Sequence, residues 1–284
     1  MNKSKAAEPK PTKASQELEC LKLDRGLFTK GRTGVVIEKE LAVYVNGTHL
    51  ATASITPGME REFVTGYLFG QGFIDNVNEI DDITIDDNAA QVTVKDAGVL
   101  KRSHGNTGYR VVSGGGTAAF SDRIDYAEVR TDLKIGKQAI FKAMNTVFEN
   151  AELYQTTEGV HGAGLFTAEA EPVCIVEDIG RHNCLDKLLG YALLNNVERS
   201  RTFLVSTGRM ASEMATKICR AGIPVAATKT AVTDKGLEIG EKYSITIVGF
   251  VRDTGTRINT NMETRTVTEA GMKIYTHAER IKKG

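Results

Sequence analysis

The run EDIGRHNCLDK at 177–187 places six charged or titratable residues, Glu177, Asp178, Arg181, His182, Asp186 and Lys187, within eleven positions. It follows an apolar stretch, PVCIV, that reads as a buried strand. Gly180 permits a sharp turn, Arg181 and His182 open a helix, and Asn183 is placed to cap it. Asp186 and Lys187 fall within a turn of His182, so several polar groups can share one face. The bland alternative is a solvated helix start with ordinary surface pairs. The functional reading is preferred, because open α/β sheets present ligands beyond the carboxyl ends of their strands.

Four other segments have residue types that suit ligands. STGRMASE at 206–213 also follows an apolar strand. Ser206, Thr207, Gly208, Arg209 and the next helix start could hold an anion; the alternative is simple capping by Thr207 or Ser212. VVSGGGTAAF at 111–120 has three successive glycines but neither a P-loop ending nor a dinucleotide spacing, and on its residues alone reads as an interdomain loop. His161, in TTEGVHGAG, starts from a structural expectation and gains from lying just before the PVCIV strand. GFVRDTGTR at 249–257 ends a buried strand with Phe250, Val251, Arg252 and Asp253; Arg252 and Arg257 could meet phosphates, or the stretch is an edge strand entering a polar loop.

The four cysteines, Cys20, Cys174, Cys184 and Cys219, form no C-x-x-C pair. That spacing argues against a disulfide framework or a zinc knuckle. They read as reduced thiols, several of them buried.

Strands and helices must position these groups. The segment 35–47 and HLATASI read as a hairpin turning at Asn46-Gly47. Pro57-Gly58 opens a helix over 59–74 with Phe63, Tyr67, Leu68 and Ile74 on its buried face. Strands follow at ITIDD and AAQVTVKD. A long helix is expected over 136–154, with Ile140, Met144, Val147 and Phe148 inward. Beyond it strands (PVCIVE, RTFLVS, IPVAAT, YSITIVGFV) alternate with helices, the rhythm of a parallel sheet covered on both faces. The expected organisation is a disordered tail at 1–17, an α+β domain at 18–125 and an α/β domain at 126–284.

The chain has 284 residues, is 41% hydrophobic, and has 36 basic and 36 acidic side chains. Zero formal charge disfavours non-specific nucleic-acid binding. No apolar run reaches the ~20 residues of a membrane helix, and the basic N-terminus lacks the apolar core of a signal peptide.

In order, the E-x-x-L strand with N-G, the T-P-G turn into a helix ending G-F-I, VHGAGL, EDIGRHNCLDK, STGRMASE with AGIPV, GFVRD, and GMKIYTHAERI at 271–281 resemble the FdhD/NarQ family of formate dehydrogenase accessory proteins. The resemblance implies a C-terminal three-layer α/β/α domain similar to cytidine deaminases. It implies a cytoplasmic, sulfurtransferase-like sulfur carrier that takes persulfide sulfur from a cysteine desulfurase to the molybdenum cofactor, a bis-guanine-dinucleotide pterin, for formate dehydrogenase. A homodimer is expected, with no metal of its own, no nucleic acid and no membrane. The cofactor contacts carried over are His161, Asp178, Arg181, His182, Asn183, Ser206, Gly208, Arg209, Phe250, Val251, Arg252 and Asp253.

The family's C-G-x-C-G relay is absent. Gly115 and Ala118 stand at its two cysteine positions, and persulfide chemistry needs a thiolate. Three explanations follow: a cofactor-binding or scaffold protein without sulfur transfer, a displaced relay at Cys184 with a thiol lowered by Arg181 and His182, or a chain whose cysteines have been altered. A deaminase-like hydrolase is the rival enzyme, but His161 is followed by Gly162-Ala163 rather than x-Glu, and P-C-x-x-C is missing. A pure interaction module is the other rival.

Overall fold

The computed structural model describes residues 13–95, 109–111, 126–254, 257–259, 264–266 and 269–282. The first elements are an antiparallel arm, β1 (Ser15–Asp24) and β2 (Leu27–Val36). β1 therefore starts inside the segment expected to be tail. Arg25 and Gly26 both have positive φ, the two-residue turn whose twist matches a hairpin. The same device, at Asn46-Gly47, joins β3 (Lys39–Val45) to β4 (Thr48–Ile55) as the sequence predicts. With β5 (Ile80–Asp86), β6 (Ala89–Val94) and β7 (Tyr109–Val111), they form a five-stranded sheet in the order β5-β6-β3-β4-β7. Alternation along β3 sends Leu41, Val43 and Val45 into the core.

Helix α1 (Glu60–Gly70) is buried continuously from Phe63 to Gly70, not on one face alone. It lies against the small sheet on one side and a helix of the second part on the other. The expected long helix is two: α2 (Lys137–Glu149), preceded by β8 (Ile135–Gly136), and α3 (Glu152–Thr157). The break at Asn150-Ala151 lets Glu177 reach the start of α3, where its carboxylate accepts the Leu153 and Tyr154 amides at 2.9 and 2.8 Å.

The second sheet uses β9 (His161–Thr167), β10 (Pro172–Asp178), β11 (Thr202–Ser206), β12 (Val225–Thr228), β13 (Thr246–Arg252) and β16 (Gly271–Ile274). β14 (Arg257–Asn259) and β15 (Thr264–Thr266) pair with each other, and β17 (Ile281–Lys282) runs parallel to β8. The order β10-β9-β11-β12-β13-β16 is mixed: only β11-β12-β13 are parallel. This corrects the parallel expectation. β9 and β10 are joined by a short turn, which can only produce an antiparallel pair.

Alternate residues on the central strands face opposite layers. Phe203, Val205 and Ala227 pack with α2, while Leu204 and Ala226 pack with α4 (Arg181–Leu194) and α5 (Ser212–Ala221). Helix α6 (Asp234–Lys242) joins that second layer, giving α/β/α.

One core continues from the small sheet through α1 into α4 and α5. Gly66 faces the Asp186 carbonyl and Gly190 faces the Glu62 carbonyl, so a Cβ on either glycine would run into backbone. Reciprocal glycines thus let α1 and α4 touch.

Candidate functional site

The dense corner at 177–187 divides in two. Asp178 is fully buried at the end of β10. Its Oδ1 accepts the Gly180 amide at 3.0 Å and Asn183 Nδ2 at 2.7 Å. Its Oδ2 accepts the Thr56 amide at 3.0 Å and pairs with Lys187 Nζ at 2.8 Å. Lys187 also donates to the Thr56 carbonyl, and Asn183 to the Ser54 carbonyl. Asp186, likewise buried, chelates Lys217 Nζ at 2.6 Å from both oxygens. Asp178, Asn183 and Lys187 thus fasten the β4–α1 loop to the start of α4, while Asp186 and Lys217 join α4 to α5. Gly180, not Asn183, is the N-cap of α4, and no side chain caps it. Asn183 lies inside the first turn, where its amide serves the loop instead.

Cys184 is fully buried, and its Sγ donates to the His161 carbonyl at 3.3 Å. Its thiol is pushed well above the ordinary value, first by burial and then by Asp178. The expectation that Arg181 and His182 lower it is corrected: desolvation opposes a buried thiolate, and the Arg181 stem lies over Gly208 instead. Burial also raises Cys174 and Cys219, each to about 12. Gly115 and Ala118 lie outside the described residues.

Beside this corner a cleft of about 430 Å³ opens at the strand ends, with Ile179 and Glu158 in its wall. His161, Thr207, Lys229 and Thr230 line it, walled by Phe148 and Tyr154. Thr207 knits β9 to β11: its Oγ1 accepts the Gly162 amide at 3.1 Å and lies 3.3 Å from His161 Nδ1. Burial, then Arg181, lowers His161, so its imidazole is held neutral. The Lys229 ammonium sits 4.1 Å from the Phe148 ring centre. Burial, then Arg252, lowers it.

The turn after β11 sets Arg181 in place. Ser206 is fully buried, and its Oγ accepts the Gly208 amide at 3.1 Å. Thr228 Oγ1 donates to the Gly208 carbonyl at 2.6 Å. Any Cβ on Gly208 would collide with the Arg181 side chain. Ser206 thus shapes the turn, and neither Thr207 nor Ser212 caps α5. Burial, then neighbouring Arg209, lowers the Arg181 guanidinium, and its buried Nε has no partner. His182 Nε2 is 3.2 Å from Glu213 Oε2 but is not aligned to hydrogen-bond with it. Burial, then Lys217 and Arg181, takes this imidazole down to about 3, so it is neutral.

At the end of β13, a bulge between Gly249 and Arg252 puts Phe250 at φ 55°. The Phe250 amide donates to the Thr230 carbonyl, and Arg252 and Lys273 approach its ring. Val251 turns into the core, while Asp253 accepts Asn145 Nδ2 at 2.7 Å.

Sequence reasoning therefore located Arg181, Gly208, Arg209 and Arg252 around one end of the sheet, and missed Lys229, Thr230, Phe148 and Tyr154. The signal for Lys229 was present. It follows strand IPVAAT, between two strands whose ends were inspected. Chemically, Arg181, Arg209, Lys229 and Arg252 supply positive charge, Phe148 and Tyr154 an aromatic wall, and the orphaned Arg181 Nε–H a spare donor. That set fits an anionic ligand with a planar group. Among the described residues no cluster of His, Cys, Asp and Glu could hold a metal ion, and no helix is long and apolar enough to cross a membrane.

Comparisons with known proteins agree on one family. A profile of the FdhD/NarQ family matches residues 36–282. The chain is 31% identical to the sulfur carrier protein FdhD of Methanothermobacter thermautotrophicus, across 87% of this chain and 91% of that one. It is 33% identical to the FdhD of Bacillus pumilus, across 90% and 93%. A crystal structure assigned to a formate dehydrogenase accessory protein from Desulfotalea psychrophila shares the fold, with a TM-score of 0.72, 22% identity, and coverage of 95% of this chain and 100% of that one. From the arm's last residue to the C-terminal strand, the chain belongs to the FdhD/NarQ family, whose curated members matched here are named sulfur carrier proteins.

Proposed function

We propose that this chain is a cytoplasmic formate dehydrogenase accessory protein that binds the molybdenum cofactor, in its bis-guanine-dinucleotide form, at the cleft and delivers it to formate dehydrogenase. The observation that carries this reading is Lys229 in an aromatic-walled cleft, with Arg181 and Arg252 near enough to act on the lining His161 and Lys229, and with the buried Arg181 Nε unpartnered. Arg181 and Arg209 would grip one phosphate group, and Lys229 and Arg252 another. The neutral His161 imidazole, steadied by Thr207, would hydrogen-bond without adding charge. Phe148 and Tyr154 would cover a flat ring and exclude water from it. When bound, the cofactor supplies the metal centre to which sulfur is added.

The form without a cysteine relay is favoured. Gly115 and Ala118 replace the relay thiols, and Cys174, Cys184 and Cys219 are all held as thiols by burial. Sulfur from a cysteine desulfurase would then reach the cofactor by another carrier. Titration with GDP, followed calorimetrically, tests the cleft: saturable binding that weakens in Arg181→Ala is expected, and no binding overturns the reading. Persulfide trapping after incubation with a cysteine desulfurase tests the relay; an adduct on any of Cys20, Cys174, Cys184 or Cys219 would restore sulfur carriage to this chain.

A further inference from the structure

Resting on the function proposed for the cleft, we infer that Glu158 sets its specificity by accepting the N–H groups on the edge of a guanine base. Among the described residues that line the cleft, Lys229 has the one formal positive charge and Glu158 the one formal negative charge. Phosphates account for the lysine. They leave the carboxylate unexplained, because it repels them. Glu158 is exposed, and its carboxylate makes no hydrogen bond or ion pair with any described residue. It therefore keeps its full capacity to accept hydrogen bonds from a ligand.

The backbone around this residue is tied down on both sides. Glu158 ends α3, and its amide donates to the Tyr154 carbonyl at 2.7 Å. Glu177 holds the start of the same helix through the Leu153 and Tyr154 amides. Just beyond, Thr157 Oγ1 accepts the Gly159 amide at 3.2 Å. Between those ties Glu158 has φ 51°, a left-handed conformation that favours glycine. A glutamate there works against the backbone's own preference, and no polar contact among the described residues offsets it.

The aromatic wall says what kind of ligand meets the carboxylate. Tyr154 lies one turn before Glu158, and its ring meets the Phe148 ring edge-on, with centres 6.5 Å apart. A flat base lying against that wall turns its rim towards Glu158 and leaves Lys229 for the phosphates. An ionised carboxylate only accepts hydrogen bonds, and it can accept two side by side. Guanine offers two adjacent donors on one edge, N1–H and the 2-amino group. Hypoxanthine lacks the amino group, and xanthine has a carbonyl in its place. A site that hydrogen-bonds a donor discriminates against analogues without it.

Calorimetric titration of the full chain with guanosine, inosine and xanthosine diphosphates tests this. The native chain is expected to bind the guanosine form about tenfold more tightly than the inosine form, which lacks only the 2-amino group. In Glu158→Gly that ratio should fall to about one. Glycine suits the left-handed backbone, so this variant folds. In Glu158→Gln one acceptor oxygen becomes an amide donor, and the xanthosine form should gain on the guanosine form. Equal native affinities for the guanosine and inosine forms overturn the inference and leave the cleft's proposed function standing. So does a native ratio that survives in Glu158→Gly, even where all three affinities change together. A native chain that binds none of the three overturns the cleft's proposed function, and the role of Glu158 with it.

Discussion

The corner after β10 and the corner after β11 both follow apolar strands and both open helices, yet they use their polar residues in opposite ways. At the first, Asp178, Asn183, Asp186 and Lys187 are buried and satisfy one another, the β4–α1 loop and Lys217. At the second, Ser206 and Thr207 tie the turn, leaving the Arg181 Nε unpartnered near the cleft that Lys229 lines. Local polar density therefore marks both a structural lock and the site proposed for a ligand. Unspent hydrogen-bonding capacity tells them apart. Arg181 and His182 belong by sequence to the first corner and by position to the second.

The largest effect should come from breaking the lock. Lys187→Met leaves the Asp178 carboxylate buried without its cation, and chemical denaturation should show a loss of about 3–5 kcal/mol. Should the loss be under about 1 kcal/mol, Asp178 is not dependent on this pair. Next is Gly208→Ala, which pushes Arg181 aside. It should cost about 1–3 kcal/mol of stability and should also weaken GDP binding in calorimetry. Unchanged affinity would show that the Arg181 placement is irrelevant to the cleft. Lys229→Ala should raise the GDP dissociation constant about tenfold, equivalent to about 1.4 kcal/mol. Its melting temperature should match the native chain, because Lys229 lies at the cleft rather than within the lock.

A further effect concerns pH. His182 falls from an ordinary 6.5 to about 3 through burial, then Lys217 and Arg181. Between those values the unfolded chain binds a proton that the folded chain refuses. Stability should therefore decline as pH falls from 6.5 towards 3, with a slope of up to about 1.4 kcal/mol per pH unit. Glu213 and Asp186, both raised by burial, act in the opposite sense. The His182 share is read as the slope lost in His182→Gln, measured by denaturation at a series of pH values. An unchanged slope would mean that the imidazole titrates normally.

Much of the molecule was legible before the structure. Asn46-Gly47 marked its hairpin, Pro57-Gly58 the entry to α1, and the short apolar runs from PVCIV to YSITIVGFV the strands of the second sheet. These signals are local, because turn conformation and side-chain alternation act within a few residues. The break between α2 and α3 was not legible, since its reason is Glu177, more than twenty positions away. The arm was missed because SQELECLKLD carries charge and exposed leucines instead of a one-sided apolar pattern.

By itself, the sequence determined the order of elements, the strand-to-helix corners to be searched, and the family these features resemble. Only the tertiary structure decided which polar groups remain free. Lys187 came to face Asp178 and Thr56, and Lys217 to face Asp186, so the first charge was spent on holding the two parts together and the second on joining α5 to α4. It also decided that Cys184 lies beneath His161, where a thiol stays protonated. The physical reason is the same in each case. Desolvation depends on what packs around a group from distant parts of the chain, and no spacing within one segment encodes it.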